Sequence, residues 1–279
     1  MTIYKGVVIT DLDGTLLNSE KGISPKDIVT LELLGDQKYV RIIATGRSLY
    51  SVRKVLPLYV PVDYIIFSSG AGILDWQTNQ VIQRKSLPEK DLKLTISVFD
   101  NQKTDYSIQE EIPDNHYYTF VKYSDVNPDF DNRNKLYRDF AIQVQPDHSH
   151  VNKACQLIGI VPGDSGLMAY KKVRDALPRL SVIRSTSPLD GQSTWIEVFP
   201  KGVSKSNGVK WLLKNQKIHT RNIMAIGNDY NDIDLLRWSP NSFVVENSPE
   251  EIRNEFQTVT SNNKSGFSEA VSIWLNEKM

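Results

Sequence analysis

Short runs of β-branched and aliphatic residues alternate with segments of helical periodicity near both ends of this chain, and that alternation narrows the available folds more than any other feature. Val7-Val8-Ile9 reads as a buried strand. Ser24-Pro25-Lys26-Asp27 then opens a helix. Ser24 can cap, proline suits the first helical position, and Asp27 stands where a capping box places an acid. Ile28, Leu31 and Leu34 recur at helical spacing, and a second strand follows at Val40-Arg41-Ile42-Ile43-Ala44. A helix from Ser48 carries Val52, Val55 and Leu56 on one face, before a third strand at Tyr64-Ile65-Ile66-Phe67. Strand, helix, strand, helix, strand is the pattern of a parallel α/β sheet.

The rhythm changes between residues 84 and 192, which hold most of the polar and turn-forming stretches. Strands are expected there over 117–122, 140–144 and 180–184, and helices over 89–100, 150–158 and 169–177. Pro188-Leu189-Asp190-Gly191 marks a return linker. From Trp195 the α/β rhythm resumes, with strands at 195–199, 223–226 and 243–245 and helices at 204–215, 231–237, after Ser248-Pro249, and 267–277. The expected architecture is a doubly wound, Rossmann-like parallel-sheet α/β core built from residues 1–83 and 193–279, with an α+β cap domain inserted at 84–192.

The 279 residues carry 33 Lys plus Arg and 33 Asp plus Glu, a neutral balance that argues against a general nucleic-acid binder. Aromatic pairs such as Tyr117-Tyr118 read as packing of the inserted sheet. No run approaches the roughly 20 apolar residues of a membrane span. The opening apolar run is too short for a signal peptide and follows no basic segment, so the expected location is cytoplasmic. Cys155 is the single cysteine and can form no intrachain disulfide. Its surroundings, Val151 to Ile158, read as an amphipathic helix that buries the thiol.

Four short motifs fall at or beside expected strand ends. Asp11-Leu12-Asp13-Gly14-Thr15-Leu16 follows the first strand. In an open α/β sheet ligands bind beyond the carboxyl ends of the strands, and two acids this close repel unless a cation lies between them. Oxygen ligands suit Mg²⁺. Gly14 permits a sharp turn that leaves backbone amides facing a phosphate, and an aspartate is a competent nucleophile toward phosphorus. Ala44-Thr45-Gly46-Arg47 ends the second strand and offers a hydroxyl and amides to an anion, although a capping turn would also explain it. Lys201-Gly202-Val203-Ser204-Lys205 puts lysines at a helix start, where the helix dipole disfavours them unless they face an anion. Gly227-Asn228-Asp229-Tyr230-Asn231-Asp232 supplies more oxygen ligands, or an Asx-rich capping turn.

Together, in this order, the motifs resemble those of the haloacid dehalogenase superfamily, specifically its Cof-like phosphatases with a large C2-type cap between the second and third motifs. The resemblance covers essentially the whole chain. It implies that Asp11 is nucleophile and metal ligand, and that Asp13 is general acid/base and ligates through its carbonyl. Thr45 and Lys205 are implied to orient the phosphate. The implied phosphate set is Leu12, Gly14, Thr45, Gly46, Arg47, Lys205 and Asn231, and the implied Mg²⁺ set is Asp11, Asp13, Asn228, Asp229 and Asp232. Asp232 is implied to anchor Lys205 or a metal-bound water. The sequence departs from the family's usual Gly-Asp-x-x-Asn-Asp, since Asn228 holds the first acidic place and Asp229 follows, so either can take the direct metal position. Ser68-Ser69-Gly70-Ala71 stands where relatives often carry Asn-Gly-Ala. The implied activity is hydrolysis of a small phosphate ester, a sugar phosphate first. A phosphomutase and a non-catalytic sugar-phosphate binder are alternatives on the same scaffold. His116, Arg133, Arg138 and Arg184 are polar candidates in the cap that also read as surface residues. The sequence leaves the oligomeric state open.

Overall fold

The computed structural model describes residues 4–146 and 152–276. In chain order the elements are β1 (Gly6–Thr10), α1 (Pro25–Asp36), β2 (Tyr39–Ala44), α2 (Leu49–Val55), β3 (Tyr64–Phe67), β4 (Gly72–Asp75) and β5 (Gln80–Arg84). Next come α3 (Glu89–Asn101), β6 (Asp105–Gln109), β7 (Tyr118–Val121), α4 (Pro128–Leu136), β8 (Ala141–Gln143), β9 (Gln156–Val161), α5 (Gly166–Ala176), β10 (Ser181–Thr186) and β11 (Thr194–Phe199). The chain ends with α6 (Lys205–Asn215), β12 (Ile223–Gly227), α7 (Ile233–Trp238), β13 (Asn241–Val245), α8 (Glu250–Arg253), β14 (Gln257–Val259) and α9 (Gly266–Asn276). These form two units, residues 1–47, 51–83 and 204–279, and residues 48–50 and 84–203.

The first unit is built on an eight-stranded sheet ordered β14-β13-β12-β1-β2-β3-β4-β5. From β14 to β3 the strands run parallel, and β4 turns back antiparallel to β3. Parallel strands buried on both faces need continuous apolar runs, and β1 and β12 are buried at every position. On one face Val7, Ile9, Val40 and Ile42 pack with Val209 and Leu212 of α6 and Leu235 and Leu236 of α7. The helices of this doubly wound unit also include α1 and α9, where Trp274 meets Tyr39 edge to face at 5.3 Å. The strand order reverses at β1, which lies between β12 and β2. That reversal opens a crevice at the carboxyl ends of these three strands.

Helix α1 starts as its sequence implies: Ser24 Oγ accepts from Asp27 N at 3.0 Å, with Pro25 at the first position. Asp27, however, is fully buried and serves α9. Its Oδ1 accepts from Ser268 N at 3.1 Å and Ser268 Oγ at 2.6 Å, and its Oδ2 from Ser24 Oγ at 2.8 Å.

The second unit holds a six-stranded sheet ordered β10-β11-β9-β6-β7-β8, in which each strand from β10 to β7 runs antiparallel to its neighbour. Leu92, Ile96 and Phe99 of α3 and Val173 of α5 pack on Tyr106, Ile108, Leu157, Ile196 and Val198. Phe130 of α4 packs with Ile158, Ile160 and Trp195.

Two expectations fail here. The strand at 195–199 does not resume the parallel core. As β11 it pairs antiparallel with β9 and β10, so the return to the first unit falls at Ser204 rather than at residue 193. The expected helix over 150–158 is absent from its described part. Residues 156–161 form β9, and Cys155 lies just before it, fully buried, its N–H donating to Gln109 O at 3.0 Å. Residues 150 and 151 lie outside the described residues. Cross-strand pairing with β6 and β11 overrides the helical spacing of Val151, Ala154, Cys155 and Ile158. Among the described residues, no helix is long and apolar enough to cross a membrane.

Asp27→Ala removes three hydrogen bonds from a buried carboxylate and strands the Ser268 N–H. The expected loss is about 3 kcal/mol of stability, read as a lowered urea midpoint.

Candidate active site

Three strand ends and one helix start converge in the first unit. Asp11 follows β1, and its N–H donates to Ile226 O of β12 at 2.9 Å. Thr45 follows β2, and Gly227 ends β12. Ser204 caps α6 by accepting from Asn207 N at 3.2 Å, which makes Lys205 the first residue of that helix.

Lys205 is the centre of the arrangement. Its side chain is fully buried, and its Nζ donates to Asp11 Oδ1 at 2.6 Å, to Asp232 Oδ1 at 2.6 Å and to Asn231 Oδ1 at 3.4 Å. Asp232 is also fully buried and Asp11 is 5% exposed. Burial pushes the Asp11 carboxyl from 3.8 up to about 7 against the pull of Lys205, and the charges of Asp232 and Asp13 add to the rise. Burial likewise opposes the charge on Lys205, but Asp11 and Asp232 outweigh it and hold the ammonium above its ordinary range. The arrangement is a buried cation flanked by two acids, one of them set at the mouth of the crevice.

The 227–232 loop divides the labour among its polar groups. Asp232 Oδ2 accepts from the N–H of Asn228 at 3.0 Å and of Asp229 at 3.1 Å, while Oδ1 faces Lys205. Both oxygens are engaged, so Asp232 holds the lysine and the loop instead of presenting a free carboxylate to a cation. Asp229 completes a capping box with Asp232. Asn228 lies against the first motif, where its Oδ1 accepts from Thr15 Oγ1 at 3.3 Å. Gly14 has φ +71°, and a Cβ there would come within 2.6 Å of Asn228 Nδ2, so glycine is what lets the two loops meet. Asn247 Nδ2 fixes the same turn by donating to Gly14 O at 2.8 Å.

Asp13 is paired with Arg47. The guanidinium grips it with two bonds, Nε to Oδ2 at 2.6 Å and Nη2 to Oδ1 at 2.7 Å, and is itself anchored by Nη1 donating to Ser51 Oγ at 2.6 Å. Arg47, expected as a phosphate ligand, places its guanidinium on Asp13 and Ser51. Thr45 is buried, its hydroxyl accepting from Arg47 N at 3.1 Å. Leu12 is fully buried and its carbonyl accepts from Leu17 N at 2.8 Å, while Gly46 is half-buried between Thr45 and Arg47. Among the described residues no three His, Cys, Asp or Glu side chains are grouped to hold a metal. Asn228 is the side chain of the 227–232 loop whose amide oxygen meets the first motif, through Thr15.

The structure thus brings together Asp11, Lys205, Asn231 and Asp232, and pairs Asp13 with Arg47. Lys201 is exposed. In the second unit Arg133 is 7% exposed, 4.3 Å over the Tyr118 ring and bonded from Nη1 to Ser107 Oγ at 3.2 Å, a packed residue of that sheet. Arg138 is exposed beside Asp139, Arg184 is half-buried, and the His116 ring lies tilted 4.4 Å from Tyr117 and edge to face with Phe140 at 5.0 Å. Ser51 and Asn247 carry no motif: Ser51 acts on an arginine four positions before it, and Asn247 on Gly14 across 233 positions.

A doubly wound sheet with an inserted α+β unit, and with a buried lysine, two aspartates and an Asx-rich loop at its switch point, defines an α/β protein with a charged ligand site at the carboxyl ends of its strands. The comparisons narrow the class. The family model of haloacid dehalogenase-like hydrolases matches residues 8–271, and the chain belongs to that family. A Haemophilus influenzae protein named as a phosphatase is 25% identical over 248 residues, covering 86% of this chain and 85% of its own. The 5-amino-6-(5-phospho-D-ribitylamino)uracil phosphatase YwtE of Bacillus subtilis is 25% identical over 284 residues, covering 92% and 93%. A solved structure of the HAD subclass IIB sugar phosphatase BT4131 superposes with TM-score 0.75 at 19% identity, covering 97% of this chain and 99% of its own. The chain is therefore a hydrolase of this family, and its curated relatives include named phosphatases.

Asp11 holds its proton more tightly in the folded protein than in the unfolded chain. Without a cation, that contribution to stability is complete below 3.8 and is lost as the pH rises through about 7. In EDTA, Asp11→Asn should therefore melt above the wild type at about pH 8. The gap should close as the pH falls to about 4. Scanning calorimetry across this range checks it, and a gap independent of pH would assign the effect to another group.

Proposed function

We propose that this protein is a Mg²⁺-dependent phosphatase that hydrolyses a small phosphorylated metabolite, a sugar phosphate in the first instance, through an aspartyl-phosphate on Asp11. The observation that carries the reading is the buried Lys205 ammonium, 2.6 Å from both Asp11 and Asp232 at the switch point of the sheet. A fixed cation there offsets the charge of an arriving phosphoryl group without having to be desolvated again.

In the first half-reaction an Asp11 oxygen bonds to phosphorus as the ester P–O bond breaks, and Asp13 gives its proton to the departing oxygen. In the second, water attacks the phosphorus, Asp13 takes the water's proton, and the bond to Asp11 breaks, releasing inorganic phosphate. Thr45 and Lys205 orient the phosphoryl oxygens. Asp13 must leave part of its grip on Arg47 to do this, and Arg47 returns it to place between turnovers.

The residues that would hold Mg²⁺ suit it chemically: a carboxylate oxygen of Asp11, the Asp13 carbonyl and the Asn228 amide oxygen are all hard ligands, and water would complete such a shell. Mg²⁺ supplies positive charge that relieves repulsion between the nucleophile and the phosphate. Of the two candidates in the fourth loop we assign Asn228, because Asp229 is committed to the capping box. A sugar phosphate is supported by the named activity of the structural neighbour and by the phosphorylated ribityl group in the substrate name of the Bacillus relative.

Asp11→Asn should abolish release of phosphate from a panel of phosphorylated metabolites, and EDTA should do so reversibly; full turnover in Asp11→Asn would reject the reading. Asn228→Asp adds a negative charge to the cation shell, and the Mg²⁺ concentration for half-maximal activity should fall by about tenfold, measured by titrating the metal at fixed substrate.

A further inference from the structure

The connection between β3 and β4 holds three successive residues in the left-handed region: Ser68 at φ +47°, Ser69 at +53° and Gly70 at +105°. All three are buried. Two serines in a row there are uncommon, and such backbone persists only where its surroundings over-determine it. The turn gains nothing from the Ser69 hydroxyl, whose Oγ is buried without a hydrogen-bond partner.

What holds the turn is backbone on two sides. Ser69 N donates to Thr45 O at 2.9 Å and Ser68 N to Arg47 O at 2.8 Å, so it grips both ends of the Thr45-Gly46-Arg47 loop. On the other side, a Cβ on Gly70 would come 2.2 Å from Ser204 O and 2.8 Å from Ser204 C. Ser204 caps α6 and Lys205 is the next residue. One turn along that helix, a Cβ on Gly208 would lie 3.4 Å from the Gly70 Cα. The turn is thus a bracket with Thr45 on one arm and the backbone of Ser204, which leads into Lys205, on the other.

We propose that Ser69 is a positioning residue, whose left-handed turn sets the distance between the Thr45 hydroxyl and the Lys205 ammonium and so the grip on the phosphoryl group. This rests on the reading of Thr45 and Lys205 as the phosphate-orienting pair. The side chain at 69 matters because it restricts the backbone. Glycine there enters the left-handed region freely but also leaves it freely. Asparagine tolerates the region while keeping a Cβ.

The test compares wild type, Ser69→Gly and Ser69→Asn with p-nitrophenyl phosphate and Mg²⁺, alongside orthovanadate affinity by calorimetry and the melting temperature. A displacement near 1 Å costs roughly a hundredfold in rate, so a loosened bracket in Ser69→Gly should lower kcat/KM and vanadate affinity by at least about tenfold, with the melting temperature unchanged or raised. Ser69→Asn should restore both to within about threefold of wild type. An active wild type whose Ser69→Gly variant matches it in kcat/KM and vanadate affinity would overturn the inference alone. A wild type that neither hydrolyses p-nitrophenyl phosphate or any ester of a metabolite panel nor binds vanadate would overturn the phosphatase reading and the inference with it.

Discussion

The burial of one ammonium group organises this protein. Lys205 has no exposed surface, and a charge taken out of water costs several kcal/mol unless partners replace the solvent. Asp11 from the end of β1 and Asp232 from the loop after β12 are those partners, each at 2.6 Å. The position makes the demand sharper, because the first turn of a helix presents its positive pole to a lysine. Losing both carboxylates would leave a bare buried cation, so the end of β1, the lysine and the fourth loop are tied by one electrostatic constraint.

The same constraint explains how the acids are divided. Asp11, Asp13, Asp229 and Asp232 crowd one side of a sheet, yet each has a separate restraint. Asp232 spends both oxygens on Lys205 and two backbone N–H groups. Asp229 caps a turn, and Asp13 is gripped by Arg47. Asp11 is left with its carboxyl raised toward neutrality by burial, which places the chemical tension of the site on the residue read as nucleophile.

Much of this was legible in the sequence because it depends on local signals. Buried parallel strands announce themselves as unbroken runs such as Val7-Val8-Ile9, and Ser24-Pro25 marks a helix start by side-chain chemistry alone. The motifs at 11–16, 44–47 and 227–232 sit directly after such strands, so their convergence followed from the topology of a doubly wound sheet. What the sequence concealed depends on partners far away in the chain. Nothing in Trp195 to Phe199 says whether the neighbouring strand is β1 or β9. Nothing in Ala154-Cys155-Gln156-Leu157 distinguishes an amphipathic turn from a strand until β6 and β11 are beside it. The grip of Arg47 on Asp13 spans 34 positions, and the burial of Asp27 against Ser268 spans 241. Ser68 and Ser69 carry no sign of left-handed backbone, a conformation that glycine or asparagine would have advertised.

The solitary thiol at position 155 has a practical meaning for anyone handling this molecule. It lies sealed at the entry to β9, in the middle of the six-stranded sheet. Alkylating reagents can reach sulfur only when that sheet parts, so the labelling rate is a natural clock for transient openings of the second unit. No engineered probe is required, and the core sheet contributes no sulfhydryl to confuse the signal.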